Sequence, residues 1–353
     1  MKKHIKLLSS ISLFLLLSAP AFSKPIKGDE DIKKTKLINK HYDVTADDKL
    51  EVENQFGNVK VSTWDKNEIT VDIEIGVKAS TEERAQEIMN EIEVKDYNTS
   101  HIISFKTKVG EIHNGKNNNH NTDDDRSFYI DYIIHMPAAN RLMLDNSFGK
   151  TEVPDFKGLV SLTSKFGSLS TGRLANVENI DVEFGKAFIS EVTNGKLVFK
   201  FNKESKIGKV SGDVRISSEF SHNVQFNVGD NIKELNIFES YSGVRVIVTK
   251  TLSAEIDVHT SFGSFHNESD FTIREKKEDE GEYGPHFDKD YAGKAGEGAA
   301  HIKIKSSFGN VRLSHEGGSA NEDEDDDRGQ KNKDKHKDKE KDKDKDKDKS
   351  ETK

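Results

Sequence analysis

The sequence predicts an all-β protein: a β-solenoid of the parallel β-helix type, preceded by an α+β cap with one short helix. Three observations predict this class. An aromatic residue followed by a small residue recurs at steps of 18 to 21 residues. Polar and apolar residues alternate with period two before most of these aromatics. Only Ser80–Ile92 carries a clear helical pattern. Fixed-period repetition is typical of solenoids, and period two of strands.

The chain begins with the features of a secretory signal peptide. Lysines precede an apolar stretch over residues 7–17, and Ala21-Phe22-Ser23 offers small residues at a cleavage position. The stretch is short for a bilayer span, so an uncleaved membrane anchor is the weaker alternative. No cysteine follows it, which excludes a lipid-modified N-terminus. We predict a signal peptide over residues 1–23, a linker over 24–40, and export to the periplasm or cell surface.

Composition narrows the possible functions. The 353 residues include no cysteine, which excludes disulfides, thiol catalysis and zinc–thiolate sites. The formal net charge is −9. Because binding to a phosphate backbone needs a positive field, no nucleic-acid partner is expected. No segment after the signal peptide reaches transmembrane length. The sequence leaves the oligomeric state open.

Residues 41–137 form the predicted cap. Strand-like runs occupy 58–62, 69–77, 101–108 and 128–136. Between them Ser80 is a candidate N-cap, with Glu83 three residues later as in a capping box. Ala85, Ile88, Met89 and Ile92 follow as an apolar stripe. A helix here would cover sheet edges that otherwise invite aggregation.

Residues 138–318 form the predicted solenoid. Its repeated corner is an aromatic residue followed by glycine or serine, and one copy lies earlier, in the cap. The copies are Phe56-Gly57, Phe148-Gly149, Phe166-Gly167, Phe184-Gly185, Phe220-Ser221, Tyr241-Ser242, Phe262-Gly263 and Phe308-Gly309. A degenerate copy lies around Leu197, Phe199 and Phe201. An antiparallel sandwich is the weaker alternative, because hairpins do not explain a fixed period.

The repeat leads to three expectations about its residues. Each glycine should turn the chain with a positive φ, which glycine adopts without a Cβ penalty. Successive units should stack at the strand spacing of about 4.8 Å. The aromatic rings, which continue the buried alternation of residues such as Leu142 and Leu144, should then form a stacked ladder inside the protein.

Two polar insertions and a charged tail leave this pattern. Asn114–Arg126 and Lys276–Ala300 are expected to be surface loops, and loops on rigid scaffolds often carry binding. Residues 319–353 contain an acidic run and then mainly alternating lysine and aspartate. Such a segment cannot bury apolar surface, so we predict a disordered, hydrated tail. A tether through peptidoglycan and a weak divalent-ion binder are its functional alternatives.

No catalytic, cofactor or metal site is predicted. Outward carboxylates lie among lysines and arginines, as on an ordinary wet face: Glu51, Glu53, Asp145, Asp181, Glu183, Glu219 and Asp257. A glycosidase would need two of them facing one cleft. Possible metal ligands in the insertions match no calcium or zinc spacing: His113, His120, Asp123, Asp124 and Asp125, then His286, Asp288 and Asp290. No glycine-rich phosphate loop opens a helix.

Several of these motifs resemble the DUF4097 family of β-strand repeat proteins, of the Bacteroidetes type, also described as "putative adhesin" domain proteins. The resemblance rests on Asn54-Gln55-Phe56-Gly57-Asn58-Val59, the Ser80–Ile92 helix, Tyr132–Pro137 and the serial Phe-Gly corners. It covers residues 41–315. It implies an exported repeat protein for which adhesion is proposed, and it supplies no catalytic residues.

We therefore predict an exported, non-enzymatic cell-envelope protein: an adhesin, or a scaffold that binds an envelope polysaccharide or a surface protein. A polysaccharide lyase or hydrolase built on a β-helix is one alternative. A structural component that responds to envelope stress is another.

Overall fold

The computed structural model describes residues 31–111, 127–276 and 287–316. Within these ranges the chain forms 21 strands and one helix, and hydrogen bonding joins the strands into one sheet. The prediction of an all-β protein with one short helix is confirmed for this part of the chain. No helix in it is long and apolar enough to cross a membrane. The predicted signal peptide, the insertion at 114–126 and the charged tail lie outside the described residues.

The elements follow one another closely along the chain. The first are β1 (Ile32–Asp43), β2 (Lys49–Gln55), β3 (Val59–Trp64), β4 (Glu68–Ala79), α1 (Glu82–Asn90), β5 (Ile92–Thr99), β6 (Ile102–Val109) and β7 (Ser127–Pro137). Next come β8 (Arg141–Ser147), β9 (Lys150–Val153), β10 (Phe156–Lys165), β11 (Ser168–Glu183), β12 (Lys186–Lys200), β13 (Glu204–Glu219) and β14 (Val224–Ser240). The last are β15 (Gly243–Val248), β16 (Ala254–Ser261), β17 (Ser264–Glu268), β18 (Thr272–Glu275), β19 (Asp288–Ala295), β20 (Ala300–Ser307) and β21 (Asn310–His315).

Most strands lie in two rows of parallel neighbours. The first row runs β6, β2, β8, β10, the C-terminal parts of β11 to β14, β20 and β16. The second runs β7, β3, β9, the N-terminal parts of β11 to β14, β15, β21 and β17. Equivalent repeat positions pair directly, so that Leu162 opposes Leu144 on one side and Ile180 on the other. We call one strand of each row, with the aromatic corner between them, a unit.

The order of units departs from chain order at both ends of the sheet. The expectation that successive units stack on one another is wrong for the units of Tyr241, Phe262 and Phe308. The last unit, β20–β21, lies between β14–β15 and β16–β17. Likewise β2–β3 lies between β6–β7 and β8–β9.

The reason lies in the antiparallel strands at the ends. Strand β19 pairs antiparallel with β16, β5 with β6, and β4 with β7. The chain thus reverses at each end of the sheet, and in these places an antiparallel strand covers the edge of the outermost parallel strand. Covered edges do not template pairing with other chains.

Two boundary predictions need correction. Residues 32–40, expected within a linker, belong to β1, which pairs antiparallel with β4 over its whole length. The insertion at 276–300 was expected to be a loop, but it contains β19, which pairs with β16 and β18. In both places the segment pairs antiparallel with a strand that is distant in sequence, β4 for β1 and β16 for β19, which the local pattern of charged residues does not reveal.

The core lies between the two rows. Alternate residues of the strands point inwards, as Leu142, Leu144 and Asn146 do in β8, and they join one buried apolar cluster. The helix packs its buried Ala85, Ile88 and Met89 towards this cluster. Its N-cap is Thr81 and not Ser80, because the Thr81 hydroxyl accepts a 3.1 Å hydrogen bond from the backbone N–H of Arg84.

Candidate functional site

The aromatic corner residues form one continuous stack along the outside of the sheet. Neighbouring ring centroids lie 4.8 to 5.3 Å apart and the ring planes are within 7° of parallel. We call this stack the aromatic ridge. Its members, in spatial order, are Phe56, Phe148, Phe166, Phe184, Phe201, Phe220, Tyr241, Phe308 and Phe262. Phe287 stacks on Phe262 at one end, and Phe128 meets Phe56 edge-on at the other.

The expectation that these rings lie inside the protein is wrong. Eight of the nine are 46–53% exposed, and each of these eight stacks between two neighbouring rings. The cause is the backbone: every ridge residue has a positive φ, between 48° and 63°. This conformation interrupts the strand alternation, so the ring turns away from the core that the preceding residues face. A non-glycine residue pays roughly 1–2 kcal/mol for it, which ring stacking can offset at about 0.5–1.5 kcal/mol a pair.

The expectation that the glycines after the rings have a positive φ is wrong, and these glycines instead allow the units to pack closely. None of Gly57, Gly149, Gly167 or Gly185 has a positive φ. A Cβ at Gly149 would lie 1.8 Å from the carbonyl oxygen of Gly57, and one at Gly167 would lie 1.9 Å from that of Gly149. Where glycines follow one another in this column, a side chain on one of them would clash with the backbone of the neighbouring unit.

Small polar residues continue the glycine column in the middle of the sheet. The backbone N–H of Asn202 donates to the hydroxyl of Ser221 at 3.1 Å, and the N–H of Ser221 donates to that of Ser242 at 3.0 Å. The N–H of Gly185 donates to the amide oxygen of Asn202 at 3.0 Å. The column therefore hydrogen-bonds one unit to the next where glycine is absent.

Beneath the ridge lies a buried column two residues before each ring. It contains Asn54 and Asn146, whose side chains are joined by a 3.1 Å hydrogen bond. Glu239 occupies the same position in the unit of Tyr241 and is 4% exposed. Burial raises the pKa of Glu239, although the Ser306 hydroxyl and the Ser242 N–H, at 2.7 Å, both donate to its carboxyl group. Gly309 leaves the space that this carboxyl group fills.

A groove lies beside the first rings of the ridge, on the outer face of β1, β4, β7, β3 and β9. One cavity of about 390 Å³ in it has Leu37 and Ile133 among its lining residues. A second, of about 520 Å³, is lined by Phe56, Tyr129 and Phe148 among others. The two cavities share Asn58, Glu74 and Asp131. We call this continuous surface the N-terminal groove.

The groove combines exposed apolar groups with fixed polar ones. Leu37 is 66% exposed and Ile133 48%, while Tyr129 covers the backbone of Gly76 and donates its hydroxyl to Glu74. That hydrogen bond, with loss of hydration, raises the pKa of Tyr129.

Two internal hydrogen bonds hold the polar groups of the groove. Asp131 accepts from the backbone N–H of Asn58 at 2.6 Å, and Asn39 donates to Asp72 at 2.6 Å. Apolar side chains with oriented polar groups are typical of ligand sites.

The outward carboxylates form an open charged face and no enclosed acid–base pair. Glu53 and Asp145 oppose each other in the register of β2 and β8. Glu53 forms a salt bridge with Lys106. Loss of hydration raises the pKa of Asp145, Lys165 lowers it and Glu53 raises it, yet the side chain is exposed on the strand face.

The candidate metal ligands of the two insertions are only partly among the described residues. His113, His120 and Asp123 to Asp125 lie outside the described residues, as does His286. Across β16 and β19, Nδ1 of His259 lies 3.0 Å from Oδ1 of Asp290. Asp288 accepts from Ser261 at 2.6 Å. Elsewhere in the described residues His41, Asp43 and Glu68 bring ligand atoms within 4.8 Å of one another. They lie on a sheet edge, where acidic clusters are common without an ion.

Comparison with known proteins gives the following. No family model and no curated relative matches the chain. A "putative cell adhesion protein" from Clostridium sporogenes is 13% identical over 80% of this chain and all of its own, with a TM-score of 0.25. A "putative adhesin" from Bacteroides fragilis is 10% identical over 79% and 97%, with a TM-score of 0.29. A "putative lipid binding protein" from Parabacteroides distasonis is 11% identical over 78% and 96%, with a TM-score of 0.27. At these TM-scores the similarity carries no function to this chain, and membership of the DUF4097 family stays a prediction.

Sequence reasoning missed the N-terminal groove. Leu37 lies in the predicted linker. Ile133 and Tyr129 lie on the outer face of a predicted strand, where polar residues are expected. Apolar residues on the outer phase of a strand were the available signal, since that phase is normally polar. Phe201 belongs to the ridge because its φ matches that of the other rings, although asparagine follows it.

Proposed function

We propose that the chain is an exported, non-enzymatic cell-envelope protein whose stacked units form a β-solenoid that serves as a binding scaffold. We place its binding surface at the N-terminal groove and its ligand among the envelope polysaccharides. The observation that carries this proposal is the groove itself: exposed Leu37, Ile133 and Tyr129 beside oriented carboxylate and amide groups. The basic, apolar start of the chain supports export.

The chemistry of the groove supports a polysaccharide. A sugar ring offers apolar C–H faces and many hydroxyl groups. Flat apolar side chains can cover the former, and carboxylates such as Asp131, with amides such as Asn58, can accept or donate hydrogen bonds to the latter. Because the groove crosses five adjacent strands, it suits an extended chain better than a compact molecule.

Binding of immobilised envelope polysaccharides by residues 24–353 tests the proposal. We expect Leu37→Ser and Tyr129→Ser each to weaken binding by about tenfold, the loss of one good apolar contact. Tyr97→Ser is the matched control, because Tyr97 is 56% exposed and lies outside the groove. Equal binding by all three variants, or no binding to any polysaccharide or surface protein, would contradict the proposal.

The same preparation addresses the two alternatives. Turnover of a bound polysaccharide that Asp145→Asn abolishes would establish a hydrolase or lyase in place of a binding protein. A deletion phenotype under envelope stress without any ligand would favour the structural component.

A further inference from the structure

We infer that two copies of this chain pair through the aromatic ridge, running antiparallel about a two-fold axis that passes between Phe184 and Phe201. This inference does not depend on the ligand of the N-terminal groove, although the two surfaces share Phe56 and Phe148. It rests on the apolar area of the ridge and on the charges beside it.

The ridge exposes enough apolar surface for a stable interface. Its central rings, from Phe148 to Phe308, are each 46–50% exposed. With about 200 Å² for a whole aromatic side chain, each ring leaves about 100 Å² in water. Eight rings from Phe56 to Phe308 therefore present about 700–800 Å². A typical interface buries about 800 Å² per partner, whereas the largest apolar patch of a monomer is about 300–600 Å².

The residues preceding the rings alternate in charge along one flank of the ridge. They are Lys165, Glu183, Lys200 and Glu219, and each is the register partner of the next. Within one copy these groups contact only loosely: Glu183 lies 3.6 Å from the Lys165 ammonium and 3.8 Å from that of Lys200. On the other flank Lys186 and Glu204 are also register partners, 3.8 Å apart.

A two-fold axis across the ridge, between Phe184 and Phe201, makes these charges complementary. It brings Lys165 opposite Glu219 of the second copy and Glu183 opposite Lys200. On the other flank the same axis brings Lys186 opposite Glu204.

Two other antiparallel positions of the axis bring like charges together. An axis through Phe201 would oppose Lys200 to itself and Glu183 to Glu219, and one through Phe184 would oppose Lys165 to Lys200. A parallel arrangement, with the axis along the ridge, makes two kinds of opposite-charge pair instead of three. Since like charges in an interface suppress a wrong alignment, the pattern selects the antiparallel one.

The pair Lys165–Glu219 provides a test that one copy cannot imitate. Three register steps separate these residues within a chain, which is about 14 Å at the strand spacing. Their side chains can therefore meet only between copies. Lys203 also lies near the second flank, so the first flank gives the cleaner measurement.

The experiment measures the dimer dissociation constant of residues 24–353 by sedimentation equilibrium at low salt. We expect Lys165→Glu and Glu219→Lys each to weaken the dimer at least fivefold, and the double variant to return to within about twofold of the parent. Lys209→Glu is the control of equal charge, because Lys209 pairs with Glu191 away from the ridge. Thermal unfolding of each variant shows that it is folded.

Three results would overturn the inference. One is a parent protein that stays monomeric up to about 100 µM. Another is a double variant as weak as the single ones. The third is a monomer that sediments with phosphatidylglycerol vesicles, which would assign the ridge to a lipid surface instead.

Discussion

The glycine column under the ridge gives the sharpest test of how the units pack. In Gly167→Ala the new Cβ would lie 1.9 Å from the carbonyl oxygen of Gly149 and 2.9 Å from its carbonyl carbon. Both are backbone atoms, so no side chain can move aside. The φ of Gly167 is not positive, so the substitution introduces no left-handed strain and isolates the steric effect.

The expected magnitude follows from that overlap. A carbon and an oxygen need about 3.2 Å, so two units that normally lie about 4.8 Å apart must separate by more than 1 Å at this corner. The hydrogen bonds from Ser168 N–H to the Gly149 oxygen, 3.3 Å, and from Lys186 N–H to the Gly167 oxygen, 3.2 Å, would then be lost. Overpacking costs about 1–3 kcal/mol. Each of the two lost hydrogen bonds costs about 0.5–1.5 kcal/mol, since the residues that make them are partly or fully exposed. We expect a loss of about 2–6 kcal/mol in the free energy of unfolding.

Urea unfolding followed by circular dichroism measures this loss. Gly243→Ala is the control, because Gly243 lies two residues after the ridge residue Tyr241, outside the glycine column, and no atom lies within 4 Å of its would-be Cβ. We expect it to change stability by less than about 0.5 kcal/mol. A Gly167→Ala protein with the midpoint of the parent, or a Gly243→Ala protein equally destabilised, would refute the packing argument.

Three further predictions follow from the buried column and the unit order. Burial raises the pKa of Glu239 in the folded protein, so its ionisation destabilises the fold, an effect that is absent below the unfolded pKa of about 4.3 and grows as pH rises towards the folded pKa. The Glu239→Gln variant should therefore become more stable relative to the parent from about pH 4 upwards. A stability difference that is constant from pH 3 to 8 would contradict this. Asn146→Ala should lower the free energy of unfolding by about 2–3 kcal/mol, because Asn146 donates a hydrogen bond to the Gly57 carbonyl at 3.1 Å. Ser164→Ala should be nearly neutral, since the buried Ser164 hydroxyl has no partner among the described residues. Equal urea midpoints for the two variants would contradict this contrast. Deleting 300–353 should make β16–β17 sensitive to limited proteolysis, since β20–β21 lies between them and β14–β15, whereas deleting 317–353 should leave them protected.

Much of the fold was predictable because its signals are local. Alternation in segments such as Leu142 to Asn146 identified strands, and the apolar stripe of Ala85, Ile88 and Met89 identified the helix. The recurrence of an aromatic corner identified equivalent positions, and these positions do pair in register. Local patterns are sufficient here because a strand or a helix of this kind depends mainly on which face of a short segment is buried.

The candidate site was less predictable because it depends on neighbours distant in sequence. Leu37 joins Ile133 in the groove only because β1 pairs with β4 and β4 with β7. Neither residue carries a motif. An apolar residue on an outer strand position has the same local pattern whether it lines a groove or stands alone.

The sequence by itself determined that strands repeat, where their corners lie and which residues face the core. Tertiary structure alone decided the order of the units and the side on which the rings lie. Phe262 and Phe308 have equivalent sequence contexts. Only the antiparallel return of the chain through β19 places the last unit, β20–β21, between β14–β15 and β16–β17. The rings face outwards because one positive φ at each corner reverses the side-chain direction, and that backbone conformation is maintained by hydrogen bonds to the neighbouring unit, such as Phe148 N–H to the Lys165 carbonyl at 2.9 Å.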